Sequence, residues 1–144
     1  MRTMALVSLF SVSLLGCAGS NQSTKSDQSL YDRLGGKPAI VAVVDNFTGK
    51  VAADARINAR FANTDIPHFK AMLVDQICEA SGGPCKYTGK DMKAAHAGQN
   101  VTSEEFTALV EDLQSTLTEM KVAPAAQKDL LGALAPMKPQ IVGQ

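Results

Sequence analysis

An all-α domain is predicted from three features of the chain. Apolar residues recur at three- and four-residue steps in four separate stretches, and no stretch shows the strict alternation of a half-buried strand. Aromatic residues are 5% of the total and Trp is absent, so the core must be built from Leu, Val, Ile, Ala, Met and a few Phe. Residues that start and stop helices bracket each stretch. At 144 residues there is room for one domain with one core. Fourteen Lys and Arg balance fourteen Asp and Glu, so no overall field gathers anions, and no nucleic-acid partner is expected.

The first segment, 1–16, reads as a signal peptide: a positive start at Arg2, then an apolar run too short to span a membrane as a mature helix. Leu14-Leu15-Gly16-Cys17 resembles the bacterial lipoprotein box, in which cleavage precedes the cysteine and its thiol carries lipid. The alternative is an ordinary signal peptide cut near Ala18 or Gly19. Residues 17–29 would then be the lipidated Cys17 and a polar, flexible tether. Ala18, rather than an aspartate, follows the cysteine. By that resemblance the protein is lipid-anchored in the bacterial cell envelope, on the outer membrane facing the periplasm.

The folded domain is expected at 30–144. Gly35-Gly36-Lys37-Pro38 makes a turn with Pro38 in a first helical turn, and Ile40, Val43, Val44, Phe47 and Val51 form the stripe of a helix ending near Ala53 or Asp54. Residues 56–63 read as short and irregular, with Phe61 the one large apolar group. Asp65 caps the next helix, Pro67 lies in its first turn, and Phe69, Met72, Leu73, Gln76, Ile77 and Ala80 share a face. Gly82-Gly83-Pro84 stops it. Met92 and His96 are four apart and share a face of a short helix. Thr102-Ser103-Glu104-Glu105 is a capping box before Phe106, Leu109, Val110, Leu113, Leu117 and Met120. Leu130, Leu131, Leu134 and Met137 make the last stripe, weakened near its end by Pro136 and Pro139.

Cys78 and Cys85 bracket the Gly82-Gly83 turn, which can bring their Cα atoms within the ~4.4–6.8 Å that a disulfide needs. An exported chain sits where such bonds persist. Two free, half-buried thiols are the alternative.

Four helices around one core name no function. The segments between them do. Leu30-Tyr31-Asp32-Arg33-Leu34-Gly35-Gly36, Val43-Val44-Asp45-Asn46-Phe47, Phe61, the Gly-Gly-Pro, Tyr-Thr-Gly, Met and His elements of 82–96, and Phe106 together resemble a group I truncated haemoglobin, collinearly over 30–141. The resemblance implies a two-over-two helical sandwich around haem b. It makes His96 the proximal ligand of the haem iron and gives haem contacts to Phe61, Phe69, Leu73, Ile77, Met92, Val101 and Phe106. Neutral imidazole suits this role, with one nitrogen on iron and the other hydrogen-bonded. His68, one residue before Phe69, points about 100° away from that stripe and is expected to face solvent. Lys70 and Lys90 are candidates to pair with a propionate. Two histidines with the Cys78/Cys85 pair make no regular zinc spacing.

The distal side departs from the family, which usually carries a tyrosine where this chain has Thr48 and often a glutamine donor where it has Phe69 and Leu73. The expected distal pocket is Thr48, Phe69, Met72, Leu73 and Gln76. Such a pocket implies weaker oxygen retention and faster autoxidation than a tyrosine-bearing relative has. The leading functional expectation is reversible binding of O2, NO or CO at Fe(II), with nitric oxide dioxygenation as an extension that needs an unidentified reductase; a peroxidase-like side activity is also compatible. Two other readings stand beside it. One is a six-coordinate haem, with Met72 opposite His96, serving electron transfer or redox and gas sensing. The other is a haem-free helical lipoprotein adaptor.

Overall fold

The computed structural model describes residues 28–144, so the expected signal peptide at 1–16, Cys17 and the tether up to residue 27 lie outside the described residues. Six α-helices follow in chain order: α1 (Leu30–Arg33), α2 (Gly36–Ala53), α3 (Ile66–Ala80), α4 (Met92–His96), α5 (Ser103–Glu119) and α6 (Pro124–Leu134). Asn58–Phe61 and Ala135–Gln140 are 3-10 turns. Among the described residues the strand-like pairing is one isolated parallel bridge, Val101 to Val142.

The long helices are the four that periodicity predicts, and their ends follow from local chemistry. α2 buries Ile40, Val43, Val44, Phe47 and Val51, the whole predicted stripe. The Asp65 side chain accepts from the His68 N–H at 3.0 Å and caps α3. α3 ends because Gly82 takes φ +82°, open to glycine, and the Gly83 and Gly82 N–H groups donate back to the Cys78 and Glu79 carbonyls at 2.8 and 3.0 Å. Gly83 must also be glycine for space: a Cβ there would lie 2.7 Å from Cys78 Sγ and press into the Tyr31 ring. At α5 the Thr102 hydroxyl accepts from the Glu105 N–H at 3.1 Å while the Glu105 carboxylate accepts from the Thr102 N–H at 2.9 Å, the reciprocal pair of a capping box. α6 gives way at Leu134 to the tighter 3-10 turns, where Pro136 and Pro139 supply no N–H for a continuing α-helix.

α2 packs on α3 and α5, and α6 on α5 and α3, so the four long helices close on one another. The core they enclose is aliphatic: Ile40, Val44, Ile77, Leu117 and Leu130 are each no more than 2% exposed. Full burial of such a side chain is worth about 1.5–3 kcal/mol. α1 packs on α2 and α6, and α4 packs on Ala135–Gln140.

Three local readings differ from the sequence-based ones. α1 is a true helical turn, started by the Ser29 hydroxyl accepting from the Asp32 N–H at 3.1 Å. Part of the stretch expected to be irregular is the 3-10 turn Asn58–Phe61. On α3 the buried residues are Val74, Ile77 and Cys78, whereas Phe69, Met72 and Gln76 are half-buried and Ala80 is exposed. Neighbouring helical positions lie about 100° apart, so α3 presents two apolar fronts. One meets the core; the other, with Phe69, Met72 and Gln76, does not.

Cys78, fully buried in the last turns of α3, is joined to Cys85 in a disulfide with a Cα–Cα distance of 5.7 Å. The bond closes a loop with a sequence separation of 7, for which loss of chain entropy in the unfolded state predicts roughly 2–3 kcal/mol of stabilisation. Urea denaturation of the Cys78→Ser/Cys85→Ser variant is expected to show that loss as a lower midpoint with an unchanged slope. A midpoint equal to that of the parent would show that the loop is held by its other bonds alone.

Candidate functional site

The link between α3 and α4 contains little regular structure, yet it is tied down along its length. The Glu79 carboxylate accepts from the Tyr87 N–H at 3.0 Å and from Lys86 Nζ at 3.1 Å. These contacts, the backbone N–H foremost, hold its carboxyl below the ordinary value of 4.5. The Tyr87 hydroxyl donates to the Lys90 carbonyl at 2.7 Å, and the Asp91 carboxylate accepts from the Ala94 N–H at 2.8 Å, capping α4. With five residues α4 is far below the length at which a helix stands alone in water, so these fastenings and its packing on Ala135–Gln140 keep it formed.

His96 occupies the last turn of α4, half-buried. Its Nδ1 lies 2.7 Å from the Met92 carbonyl oxygen one turn back. A carbonyl can only accept, so Nδ1 carries the proton, and in the neutral ring the lone pair is then on Nε2. No hydrogen bond to Nε2 is seen among the described residues. A neutral imidazole fixed in this tautomer, with one nitrogen spoken for, is the form that ligates a metal.

The other predicted residues fall into distinct surroundings. Phe61 ends its 3-10 turn and meets Phe69 edge-to-face, with ring centroids 5.4 Å apart and planes at 62°. Phe61 and Leu73 also touch the buried core, and Ile77 belongs to it. Met92 Sδ lies 3.2 Å from Gln76 Nε2, and Met137 Sδ lies 3.5 Å from the same nitrogen. The structure thus places Gln76 against the residue one turn before His96. Val101 is half-buried and bridged to Val142, and Lys138 Nζ sits 5.6 Å over the Phe106 ring. Thr48 turns its hydroxyl inward, donating to the Val44 carbonyl at 2.7 Å. Its proton is committed to its own helix. Met72 is half-buried on α3, and His68 is exposed, as its register predicts. Of the two candidate lysines, Lys70 is ion-paired with Asp45, and Lys90 has no salt-bridge partner among the described residues.

Phe69, Met72, Met92, Val101 and Phe106 are half-buried yet stand outside the packed core and the rim that touches it. Of these, Met92 is joined to His96 through its carbonyl, and Phe69 meets Phe61. Two surface clefts lie elsewhere, one of about 310 Å³ among Arg56, Ser103, Glu104 and Thr107, the other of about 380 Å³ among residues that include Arg33, Val43 and Met120. Neither contains a predicted site residue.

One participant carries no periodic signal. Arg60, directly before Phe61, forks onto Glu105 through Nε at 2.7 Å and Nη2 at 2.8 Å and donates from Nη1 to the Gln99 carbonyl at 2.7 Å. A single arginine in an irregular stretch gives no hint of this. The capping box, which singles out Glu105, is the nearest clue.

Comparison with known proteins agrees with this geometry. Residues 29–142 match the bacterial-like globin family. The group 1 truncated haemoglobin GlbN of Mycolicibacterium paratuberculosis is 37% identical over 113 residues, covering 78% of this chain and 83% of that protein. The truncated haemoglobin of Tetrahymena pyriformis in its Fe(III) form superposes with a TM-score of 0.79 at 35% identity, over 81% of this chain and all of that one. The 2/2 haemoglobin of Synechococcus sp. PCC 7002, solved in the cyanomet state with covalently attached haem, superposes with a TM-score of 0.72 at 33% identity, over 78% of this chain and 95% of that one.

The Glu105 carboxyl is held below its ordinary value of 4.5, first by the Arg60 guanidinium and then by the Thr102 N–H. A depressed carboxyl stabilises the fold above its unfolded value and stops doing so as pH falls through its folded value. Acid titration is therefore expected to destabilise the parent more steeply below pH 4.5 than Glu105→Gln, which keeps the cap but has no proton to take up. Parallel acid-unfolding curves would remove Glu105 from the account.

Proposed function

This chain belongs to the bacterial-like globin family as a truncated haemoglobin of group 1, a haem b protein family with a two-over-two helical fold, and we propose that it binds O2 reversibly at ferrous haem, with NO and CO as further ligands. The observation that carries the proposal is the imidazole of His96, its Nδ1 proton donated to the Met92 carbonyl at 2.7 Å and its Nε2 without a hydrogen-bond partner among the described residues. The residues present suit haem b. They offer one nitrogen donor and half-buried apolar side chains, and among the described residues no thiolate competes, because Cys78 and Cys85 are bonded to each other.

When bound, the haem would supply an iron able to take up a diatomic gas. The rest of the chemistry belongs to the chain. His96 would hold the iron, and the Met92 carbonyl fixes the ring's tautomer and orientation. Phe61, Phe69, Leu73, Ile77, Met92, Val101 and Phe106 would exclude water and hold the macrocycle by dispersion. Lys90, without a carboxylate partner among the described residues where Lys70 is paired with Asp45, would meet a propionate. The gas side is apolar, and its one hydroxyl, on Thr48, donates to Val44. Gas retention there would rest on packing, with no donor hydrogen bond from Thr48. Oxidation of nitric oxide by the oxygenated protein extends the same reading and requires an external reductase.

The sequence also supports a reading of location. Leu14-Leu15-Gly16-Cys17 supports a lipid anchor on Cys17, with the globin domain held in the cell envelope by the 17–29 tether. The Cys78–Cys85 disulfide suits an oxidising compartment.

Expression with haem is expected to give a Soret band that His96→Ala abolishes or reduces to loosely held haem. Stoichiometric, stable haem in that variant would overturn the ligand assignment. Thr48→Tyr adds a phenolic donor beside the gas, and a hydrogen bond of about 1.5–3 kcal/mol predicts oxygen release slower by roughly ten- to a hundredfold in stopped flow. An unchanged release rate would place position 48 away from the gas.

A further inference from the structure

We propose that Arg60 is a positioning residue for His96: its guanidinium ties the segment that carries Phe61 to the turn just past His96, and so sets how firmly iron and haem are held. The proposal rests on the haem reading above and deepens it. Arg60 makes three hydrogen bonds in two directions. Two run in parallel to the Glu105 carboxylate, at 2.7 and 2.8 Å, and the third reaches the Gln99 carbonyl at 2.7 Å. Gln99 is in turn fastened to α4, its N–H donating to the His96 carbonyl at 3.0 Å and its side-chain amide to the Ala95 carbonyl at 3.0 Å. Two hydrogen bonds therefore connect Arg60 to the backbone of His96, while one peptide bond connects it to Phe61.

The direction of these bonds distinguishes them from ordinary surface pairs. Isolated exposed ion pairs contribute little to stability. A guanidinium fork, however, fixes geometry, because its donors are planar and rigid. The Arg60 side chain is 37% exposed and that of Glu105 only 21%, and Glu105 is further held by the Thr102 N–H at 2.9 Å. The clamp joins three pieces that no helix connects: the 3-10 turn ending at Phe61, the C-terminal end of α4 and the first turn of α5. The two residues named as haem contact and iron ligand, Phe61 and His96, are thereby kept in a fixed relation from outside the apolar lining. Lysine at position 60 would keep the charge but not the fork.

The test compares the parent with Arg60→Lys and Glu105→Gln, all loaded with haem. Glutamine retains the capping-box acceptor, so α5 keeps its start. Three quantities are read: haem loss to an excess of apomyoglobin, the iron–histidine stretching band of the ferrous protein in resonance Raman, and the urea midpoint of the haem-free chain. Expected are haem loss faster by about tenfold in both variants, a shifted iron–histidine band, and a haem-free midpoint equal to the parent's in Arg60→Lys and only slightly lower in Glu105→Gln, which gives up the stabilising charge of Glu105. Parental loss rates and band position in both variants would overturn the proposal. So would faster loss with an unshifted band and a correspondingly lowered haem-free midpoint, since that pattern is one of folding alone. A parent that takes up no haem would instead overturn the haem reading on which the proposal stands.

Discussion

The structure turns on a hydrogen bond of 2.7 Å between His96 Nδ1 and the Met92 carbonyl. It decides which nitrogen carries the proton, which way the ring faces and which lone pair is left over. It is made inside a helix of five residues, which has no stability of its own. The surroundings of α4 therefore have to supply what its length does not. The disulfide and the Glu79 contacts tie down the chain before it, Asp91 caps its start, Arg60 holds the turn after it through Gln99, and Ala135–Gln140 packs against it. The long helices provide a frame on which these fastenings act.

The two sides of the site are built on different terms. On the His96 side polar groups are paired: Nδ1 with a carbonyl, the Gln76 amide with the sulfurs of Met92 and Met137, and Asn100 and Gly143 in backbone bonds that draw the C-terminal segment onto the turn after His96. Among the residues expected on the gas side, Phe69 packs on Phe61, and Thr48 spends its hydroxyl on its own helix. The first arrangement specifies a position closely. The second offers volume and little direction, as an apolar wall does for a small ligand with few hydrogen-bonding atoms.

Periodicity and caps made the frame legible in the sequence. The α2 stripe, the Asp65 cap, the glycine stop after α3 and the capping box at Thr102 all act over three or four residues, so the sequence carries them directly. The position of His96 on a short helix, four residues after Met92, was equally visible. Features that depend on tertiary direction were not. Gln76 could be assigned to the apolar front of α3, but only the fold shows that this part of the front meets Met92. Val74 and Cys78 lie outside the stripe that the spacing predicts, because α3 has two apolar fronts and a single stripe describes one. Arg60 was invisible because its three acceptors lie 39 and 45 residues away in sequence, and no local pattern records such a reach.

That long reach bears on how a small domain keeps a bulky cofactor site from closing on itself. Apolar side chains left half-exposed are driven to pack together, and the edge-to-face pair of Phe61 and Phe69 shows that tendency within the site. Packing alone would draw the segments around it inward. The restraints that oppose this lie at the periphery and are directional: a guanidinium fork on one edge and a disulfide at the other end of the link. Neither has to enter the apolar lining, so neither competes with His96 for a metal or with the lining for a macrocycle. Restraints placed at the edges can leave the residues between them apolar, and neither restraint involves Thr48, whose hydroxyl is bonded within its own helix.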